Sequence, residues 1–458
     1  MDRSIFRAYS IRGVVDETLT AGDMQRIGQA VGTTLGGTDA AVVVGHDHRI
    51  HSESLAAALT QGLLSTGTDV ISIGACPTPL LNYATDHCGA TAGLMVTASH
   101  NPPRYNGLKI RTDHTLRGDE ILEIYERCLH GPIDRGEGTL SHRDPKSAYV
   151  DAILHRAQLA RSLKVVVDAG NGAAGPIVPH LLAQMGCEVI ELDCTPDGLF
   201  PNRVPDPTAP GALDHLAACV CQEQADIGLA YDGDGDRLAA VDETGQVVLG
   251  DRILALLALD LMAQSPGETV IYELACTQAL PEAIQRAGGT AVACPVGYAF
   301  VHEKMRETGA ALGGESAGHV FFRDDEFLFD DAVLAGARLL ALLSKTAHTC
   351  SALLDKLPQY TPSDKYRFHC PEKHKGDVIA HVVRFFASQN LRIETLDGCK
   401  VYWTDGASGD AYGWGLVRPS NTEPAIALRC EARTRAQLEV IEQEMRGALD
   451  SALSAHGI

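Results

Sequence analysis

Four loops along the 458-residue chain carry side chains that could do chemistry. The first is Thr97-Ala98-Ser99-His100-Asn101-Pro102-Pro103, directly after the apolar run GLMV. A polar loop that closes a buried strand presents Ser99 at the strand's carboxyl end, where α/β sheets gather ligands. A serine there is a nucleophile if a base removes its proton, and a phosphoserine if phosphate is supplied; Lys109, in YNGLKI, is a candidate base. Read alone, the same residues are a polar turn capped by Asn101 and two prolines. The second loop is Asp232-Gly233-Asp234-Gly235-Asp236-Arg237. Three carboxylates at alternate positions, with glycines that let the backbone curl, can converge on a hard cation such as magnesium. The later glycine and glutamate of an EF-hand are missing, and an acidic solvated bend is the plainer alternative.

The third loop is Gly313-Gly314-Glu315-Ser316-Ala317-Gly318-His319. Glu315 could bind sugar hydroxyls through charge-assisted bonds, and His319 could move protons near neutral pH. A glycine-rich turn with a hydrogen-bonded histidine reads equally well. The fourth runs from Trp414 to Pro424, with Arg418, Ser420, Asn421 and Thr422 in succession. Guanidinium, hydroxyl, amide and backbone donors together suit a phosphate dianion; an exposed turn with its arginine in a surface ion pair is the alternative.

These loops need elements to hold them. Short apolar runs ending in glycine or small polar residues recur, as in AAVVVGHD (40–47), KVVVDAGNG (164–172) and TVIYELACT (269–277), with amphipathic stretches such as 52–67 and 251–264 between. That alternation suits buried strands of βαβ units. The pattern occurs three times, which predicts three similar mixed-sheet α/β domains in series. A linker over 357–370 leads into a smaller C-terminal α+β domain closed by an amphipathic helix. The expected boundaries are 1–146, 147–247, 248–360 and 361–458. One loop falls in each domain, and ligand sites prefer domain interfaces. Four domains around a central cleft, each offering one loop, would make a phosphosugar site.

The bulk composition narrows the partners. With 38 basic and 59 acidic residues the net charge is −21, a surface that repels nucleic acid and anionic membranes. An anionic ligand must then be held by a local basic pocket. No apolar run is long enough to cross a bilayer and the N-terminus lacks a secretory pattern, so a cytoplasmic protein is expected. The thirteen cysteines are scattered with no CxxC pair, which predicts reduced, mostly buried thiols without catalytic duty.

TASHNPP, DGDGDR, GESAGH and RPSNTEP, in this order and over nearly the whole chain, resemble the α-D-phosphohexomutase superfamily, most closely its bacterial phosphomannomutase/phosphoglucomutase members. The resemblance implies that Ser99 carries a phosphate, gives it to a hexose monophosphate, and takes the other phosphate back after the 1,6-bisphosphate has turned round. It implies magnesium on Asp232, Asp234, Asp236 and the phosphoserine at Ser99, with glucose 1,6-bisphosphate as activator. Lys109, as the main acid/base, and His319 match proton-transfer groups. Arg12 and Arg237 match arginines around the phosphoserine, with Tyr9, His100 and Asn101 beside the substrate. Arg418, Ser420, Asn421 and Thr422 match the grip on the non-transferring phosphate, and Glu315 matches the glutamate on the sugar's O3 and O4 hydroxyls.

There are departures from the family pattern. Ser10 stands where an aspartate is usual beside Arg12, and Ala317 where a serine is usual, with Ser316 one place early. Ala275 and Tyr298 replace a lysine and a histidine of the sugar-reading loops, and HDHRIHSE (46–53) differs mildly from its usual form. The expected protein is a monomer or homodimer whose terminal domain hinges near 357–368. Phosphoglucosamine mutase is the nearest alternative, although its loops are usually of GEQSGH and GDRY type. A metal-dependent phosphatase and a non-catalytic sugar-phosphate sensor are more distant ones.

Overall fold

Buried β-branched runs build the first sheet. In the computed structural model, which describes residues 1–389, 391–405, 411–420 and 424–458, its strands are β1 (Ile11–Val14), β2 (Ala41–His46), β3 (Asp69–Ala75), β4 (Ala92–Val96), β5 (Tyr105–Arg111) and β6 (Leu140–His142). Their order is β1-β5-β4-β2-β3-β6. β2, β3, β4 and β6 run parallel, while β5 is antiparallel to both β4 and β1. Val42, Val44, Leu94 and Val96 pack with Leu55, Leu59 and Leu63 of the helix Ser52–Leu64 in one core. Fully burying such side chains contributes roughly 1.5–3 kcal/mol each. The helix Ala21–Thr34 starts at a capping box in which Thr20 and Asp23 satisfy each other's backbone donors.

A second mixed sheet follows, formed by β7 (Lys164–Asp168), β8 (Glu188–Leu192), β9 (Ile227–Tyr231), β10 (Leu238–Asp242) and β11 (Val247–Val248) in the order β11-β10-β9-β7-β8. β9 is wholly buried, and the turn between β9 and β10 is the aspartate loop. Both sheets belong to one compact unit, Met1–Leu257 with Ala317–Leu353.

The other compact unit is Ala258–Ser316 with Leu354–Ile458. It holds three parallel strands, Thr290–Cys294, Thr269–Glu273 and Leu312–Gly314, with Thr269–Glu273 in the middle. It also holds an antiparallel sheet whose central members are Ala411–Pro419 and Ala425–Ala432. The helices Glu372–Ala387 and Arg435–Ala455 supply Val378, Val382, Ile441 and Met445 to the core of this antiparallel sheet. The α/β domains with mixed sheets and the smaller C-terminal α+β domain are therefore as the sequence leads one to expect.

All thirteen cysteines are free thiols, and only Cys221 is exposed. No helix among the described residues is long and apolar enough to cross a membrane.

Candidate active site

Strand β4 ends at Val96, and the chain turns at once into the serine loop. Ser99 sits there at φ 50°, a left-handed conformation that costs a non-glycine residue on the order of 1–3 kcal/mol. Its surroundings hold it in place. The Ser99 amide donates to Thr97 Oγ1 at 2.8 Å, and Thr97 Oγ1 donates to Asp47 Oδ2 at 2.7 Å. Arg49 does most of the holding. Its Nη2 donates to the carbonyls of Ser99 (2.6 Å) and Asn101 (2.7 Å), and its Nη1 to those of Pro102 (2.8 Å) and Tyr105 (3.2 Å). Its Nε donates to Asp47 at 3.0 Å. Both ions of this pair are buried. Burial presses the guanidinium pKa down, and the Asp47 charge opposes it.

The stretch 46–53, which the sequence marks only as a mild departure, thus positions the loop through Asp47 and Arg49. The signal for it was an Asp-x-Arg pattern at the carboxyl end of β2, the strand hydrogen-bonded to β4.

The aspartate loop comes up against the serine loop. A Cβ on Gly233 would stand 2.5 Å from the Ser99 carbonyl oxygen, so only glycine permits this approach. Ser99 Oγ donates to Asp232 Oδ2 at 2.8 Å and lies 3.1 Å from His100 Nδ1. Asp232 Oδ1 accepts from the amides of Asp236 (3.0 Å) and Arg237 (3.2 Å). Lys109 Nζ donates to Asp234 Oδ2 at 2.6 Å and also to Asp236 Oδ2. Thr78 Oγ1 donates to Asp234 Oδ2 at 2.7 Å.

All three carboxylates are buried, and one ligand oxygen from each lies within 4.8 Å of the others. Burial and the charges of Asp236 and Asp234 push Asp232 well above the usual carboxylate range. Burial and Asp234 raise Asp236 as well. Burial also acts upward on Asp234, but the Lys109 charge and bond with the Thr78 bond outweigh it, and the net shift is down. Two buried oxygens, Asp234 Oδ1 and Asp236 Oδ1, accept no hydrogen bond among the described residues. Three hard oxygen donors, mutually repelling and incompletely satisfied, fit a divalent cation of the magnesium type.

His319 lies in the same unit. A Cβ on Gly318, at φ 104°, would meet the Leu238 carbonyl oxygen at 2.4 Å, so glycine lets the chain press His319 toward the aspartates. His319 Nδ1 is 2.6 Å from Asp330 Oδ2, and Arg237 Nε donates to His319 Nε2 at 3.0 Å. The partners place the ring proton on Nδ1 and leave the Nε2 lone pair facing Arg237. Burial opposes a charge on this ring, but Asp236 and Asp330 outweigh it and raise the pKa. His100 goes the other way, held well below its ordinary value by burial and by the Arg237 and Arg12 charges.

Arg12 Nη1 donates to Asn101 Oδ1 at 2.6 Å, with Tyr9 half-buried just before β1 and Ser10 buried beside it. Ser99, Lys109, Arg12, Asn101, His100, Arg237, His319 and the three aspartates therefore form one constellation. An open groove of about 760 Å³ elsewhere in this unit contains none of them; His46, Ile73 and His142 line it.

The second unit carries the remaining residues. Glu315 Oε1 accepts from the Gly297 amide at 2.7 Å, at the start of the helix Tyr298–Thr308. Ser316 donates through its hydroxyl (2.6 Å) and its amide (3.1 Å) to Glu273 Oε1, while the Ala275 amide donates to Glu273 Oε2. Glu273, which sequence reasoning missed, thereby ties the 275 loop to the Glu315 loop. Ala317, which already belongs to the first unit, is half-buried with only a methyl to offer. Arg418 Nε donates to Asp397 Oδ2 at 2.7 Å, and its buried Nη2 finds no hydrogen-bond partner among the described residues. The Ser420 carbonyl accepts from the buried Lys375 Nζ at 2.8 Å, another contact the sequence did not announce. Asn421 and Thr422 lie outside the described residues.

A serine against a triple of buried carboxylates, at the ends of strands from two α/β sheets, defines a phosphoryl-transfer enzyme of the α-D-phosphohexomutase superfamily. The chain matches phosphoglucomutase/phosphomannomutase α/β/α domain I over residues 3–131, domain II over 147–245, domain III over 249–360 and the C-terminal domain over 372–448. It belongs to the phosphoglucomutase/phosphomannomutase family.

A phosphomannomutase/phosphoglucomutase of Pseudomonas aeruginosa is 41% identical over 98% of this chain and 97% of its own. A phosphoglucomutase of Neisseria gonorrhoeae is 37% identical over 98% and 97%. The crystal structure of a phosphoglucomutase/phosphomannomutase family protein from Burkholderia thailandensis superposes with a TM-score of 0.90 at 38% identity, covering 99% of this chain and 98% of that one.

Proposed function

We propose that this chain interconverts the 1- and 6-phosphates of a hexose, glucose or mannose or both, through a phosphoserine at Ser99 and a hexose 1,6-bisphosphate. The observation that carries the residue assignment is the 2.8 Å bond from Ser99 Oγ to Asp232: the nucleophile touches the carboxylates that would hold a cation. Magnesium on Asp232, Asp234 and Asp236 would neutralise charge on the phosphoryl group being transferred.

The protein's own groups do the rest. Arg49 and Thr97 hold Ser99 in its strained conformation, so its oxygen is aimed before substrate arrives. Lys109, an ammonium between Asp234 and Asp236, serves as the main acid and base. It protonates Ser99 Oγ as the phosphate leaves, and takes the proton back when the other phosphate returns. Arg237 turns from His319 to the substrate phosphate, and the Nε2 lone pair so released accepts the sugar hydroxyl proton, with Asp330 steadying the imidazolium. Arg12, Asn101, His100 and Tyr9 line the approach to Ser99.

Arg418, with Ser420, Asn421 and Thr422, grips the phosphate that stays, and Glu315 binds the sugar's O3 and O4. Ala275 and Tyr298, where a lysine and a histidine are usual, tune the choice of sugar. Glucose 1,6-bisphosphate is the activator that recharges Ser99. We place the enzyme in the cytoplasm, as a monomer or homodimer of four domains divided near residues 146, 247 and 360; the thirteen free thiols suit a reducing compartment.

The test is a coupled turnover assay with magnesium, a trace of glucose 1,6-bisphosphate, and glucose 1-phosphate or mannose 1-phosphate. The unaltered protein turns over one or both sugars, and Ser99→Ala loses about a thousandfold or more. Turnover surviving in Ser99→Ala, or silence of the unaltered protein on both sugars, refutes the reading.

A further inference from the structure

Away from the catalytic constellation, the C-terminal domain brings together two imidazoles and a carboxylate. His374 and Asp377 lie three residues apart on the helix Glu372–Ala387, a spacing that puts them on one face. His456 caps the carboxyl end of the helix Arg435–Ala455. One ligand atom from each of the three lies within 4.8 Å of the others, and the two histidine rings stand 6.0 Å apart, tilted by 35°. The histidines are half-buried and Asp377 is exposed. Among the described residues, none of the three side chains makes a hydrogen bond or ion pair. The donors converge and are not engaged with one another or with anything else described.

We propose that His374, Asp377 and His456 bind one divalent transition-metal ion of the zinc class, separately from the aspartate triple. Two imidazole nitrogens and one carboxylate suit zinc, cobalt or nickel. Magnesium takes oxygen ligands and has no use for the rings. Zinc bonds of about 2.0–2.1 Å in tetrahedral geometry set neighbouring ligand atoms about 3.3 Å apart. The three groups must therefore close by about 1.5 Å at most, within reach of side-chain rotation at partly exposed positions. The open side leaves room for water to complete the coordination.

A bound ion would join the last turn of the C-terminal helix to the first turn of the helix Glu372–Ala387. Lys375, the neighbour of His374 on that first turn, holds the Ser420 carbonyl. The ion would therefore brace the element beneath the Ser420 loop.

The experiment uses untagged, chelator-treated full chain in excess magnesium, which occupies the aspartate triple. Zinc binding is followed by equilibrium dialysis with elemental analysis, and by thermal unfolding. The unaltered protein binds one zinc equivalent more than the double variant His374→Ala/His456→Ala and gains a zinc-dependent rise in Tm that the variant lacks. Asp377→Asn keeps the fold, checked by circular dichroism, and weakens the extra site at least about tenfold. Cobalt loaded in place of zinc gives visible absorption bands in the unaltered protein that vanish in the double variant. Equal zinc stoichiometry and equal Tm response in both proteins, or identical cobalt spectra, overturn the proposal. None of these readouts depends on mutase turnover.

Discussion

Arg49→Lys isolates positioning from chemistry, because Arg49 donates to four backbone carbonyls and to Asp47 but supplies no reacting atom. A lysine carries three donors on a single nitrogen and cannot span that fork. At least two carbonyls of the serine loop lose their partner. Each lost bond to a charged donor costs about 1.5–3 kcal/mol, so two of them cost the loop conformation roughly 3–6 kcal/mol if it stays put. Most of that strain escapes if the loop relaxes, because Ser99 is left-handed at φ 50° and held there by these bonds. A shift of about 1 Å in the nucleophile lowers turnover by about a hundredfold.

The expected result for Arg49→Lys is a kcat about a hundred times lower per folded molecule, with KM for the sugar phosphate changed less than about threefold. Folded fraction is measured by thermal unfolding in the same buffer, and hydrogen exchange at the amides of residues 97–103 reports the loosened loop. A kcat within threefold of the unaltered protein, with those amides still protected, refutes the reasoning. So does a loss of activity that only tracks unfolding.

Three further outcomes follow from the same geometry. Gly233→Ala sets a methyl 2.5 Å from the Ser99 carbonyl oxygen and 3.1 Å from Pro205 Cβ; it should destabilise by about 1–3 kcal/mol in urea unfolding and lower kcat far more than that loss of folded protein explains. Arg418→Lys keeps the charge but loses the fork proposed to grip the non-transferring phosphate, so KM should rise about tenfold while kcat stays near its original value.

Asp331→Asn tests a buried acid. Burial lifts Asp331 from an ordinary 3.8 to about 7. The folded protein therefore holds this proton more tightly than the unfolded chain, and the stability it contributes is complete below pH 3.8 and is lost as pH rises through about 7. Asparagine keeps an acceptor for Tyr149 and the Leu334 amide and carries no charge. The variant should gain on the order of 2–4 kcal/mol over the original at pH 8, with the gain shrinking toward pH 4. A pH-independent difference between the two would refute the assignment.

Much of the candidate site was legible because Ser99 and the three aspartates sit in short motifs closing buried apolar runs. GLMV before the serine loop and GLAY before the aspartate loop are the strands β4 and β9, and a strand's carboxyl end is where a side chain can be both fixed and reachable. Lys109 was legible as a residue type, but its placement between Asp234 and Asp236, 125 and 127 residues away, was not. Arg49 was passed over for a related reason, since its partners are backbone carbonyls about fifty residues on, and a carbonyl leaves no mark in a sequence. Asp330 and Glu273 escaped because they act through His319 and Ser316.

Composition, strand–helix alternation and four short motifs were sufficient by themselves for the α/β class, the family and the candidate reacting groups, because those depend on local pattern and residue type. Which buried charges face one another, what holds Ser99 in a strained conformation, and which histidine gains a carboxylate and which does not were decided only by the tertiary structure. Those interactions join groups far apart in the chain, and their strength is set by desolvation and by distances that close packing alone creates.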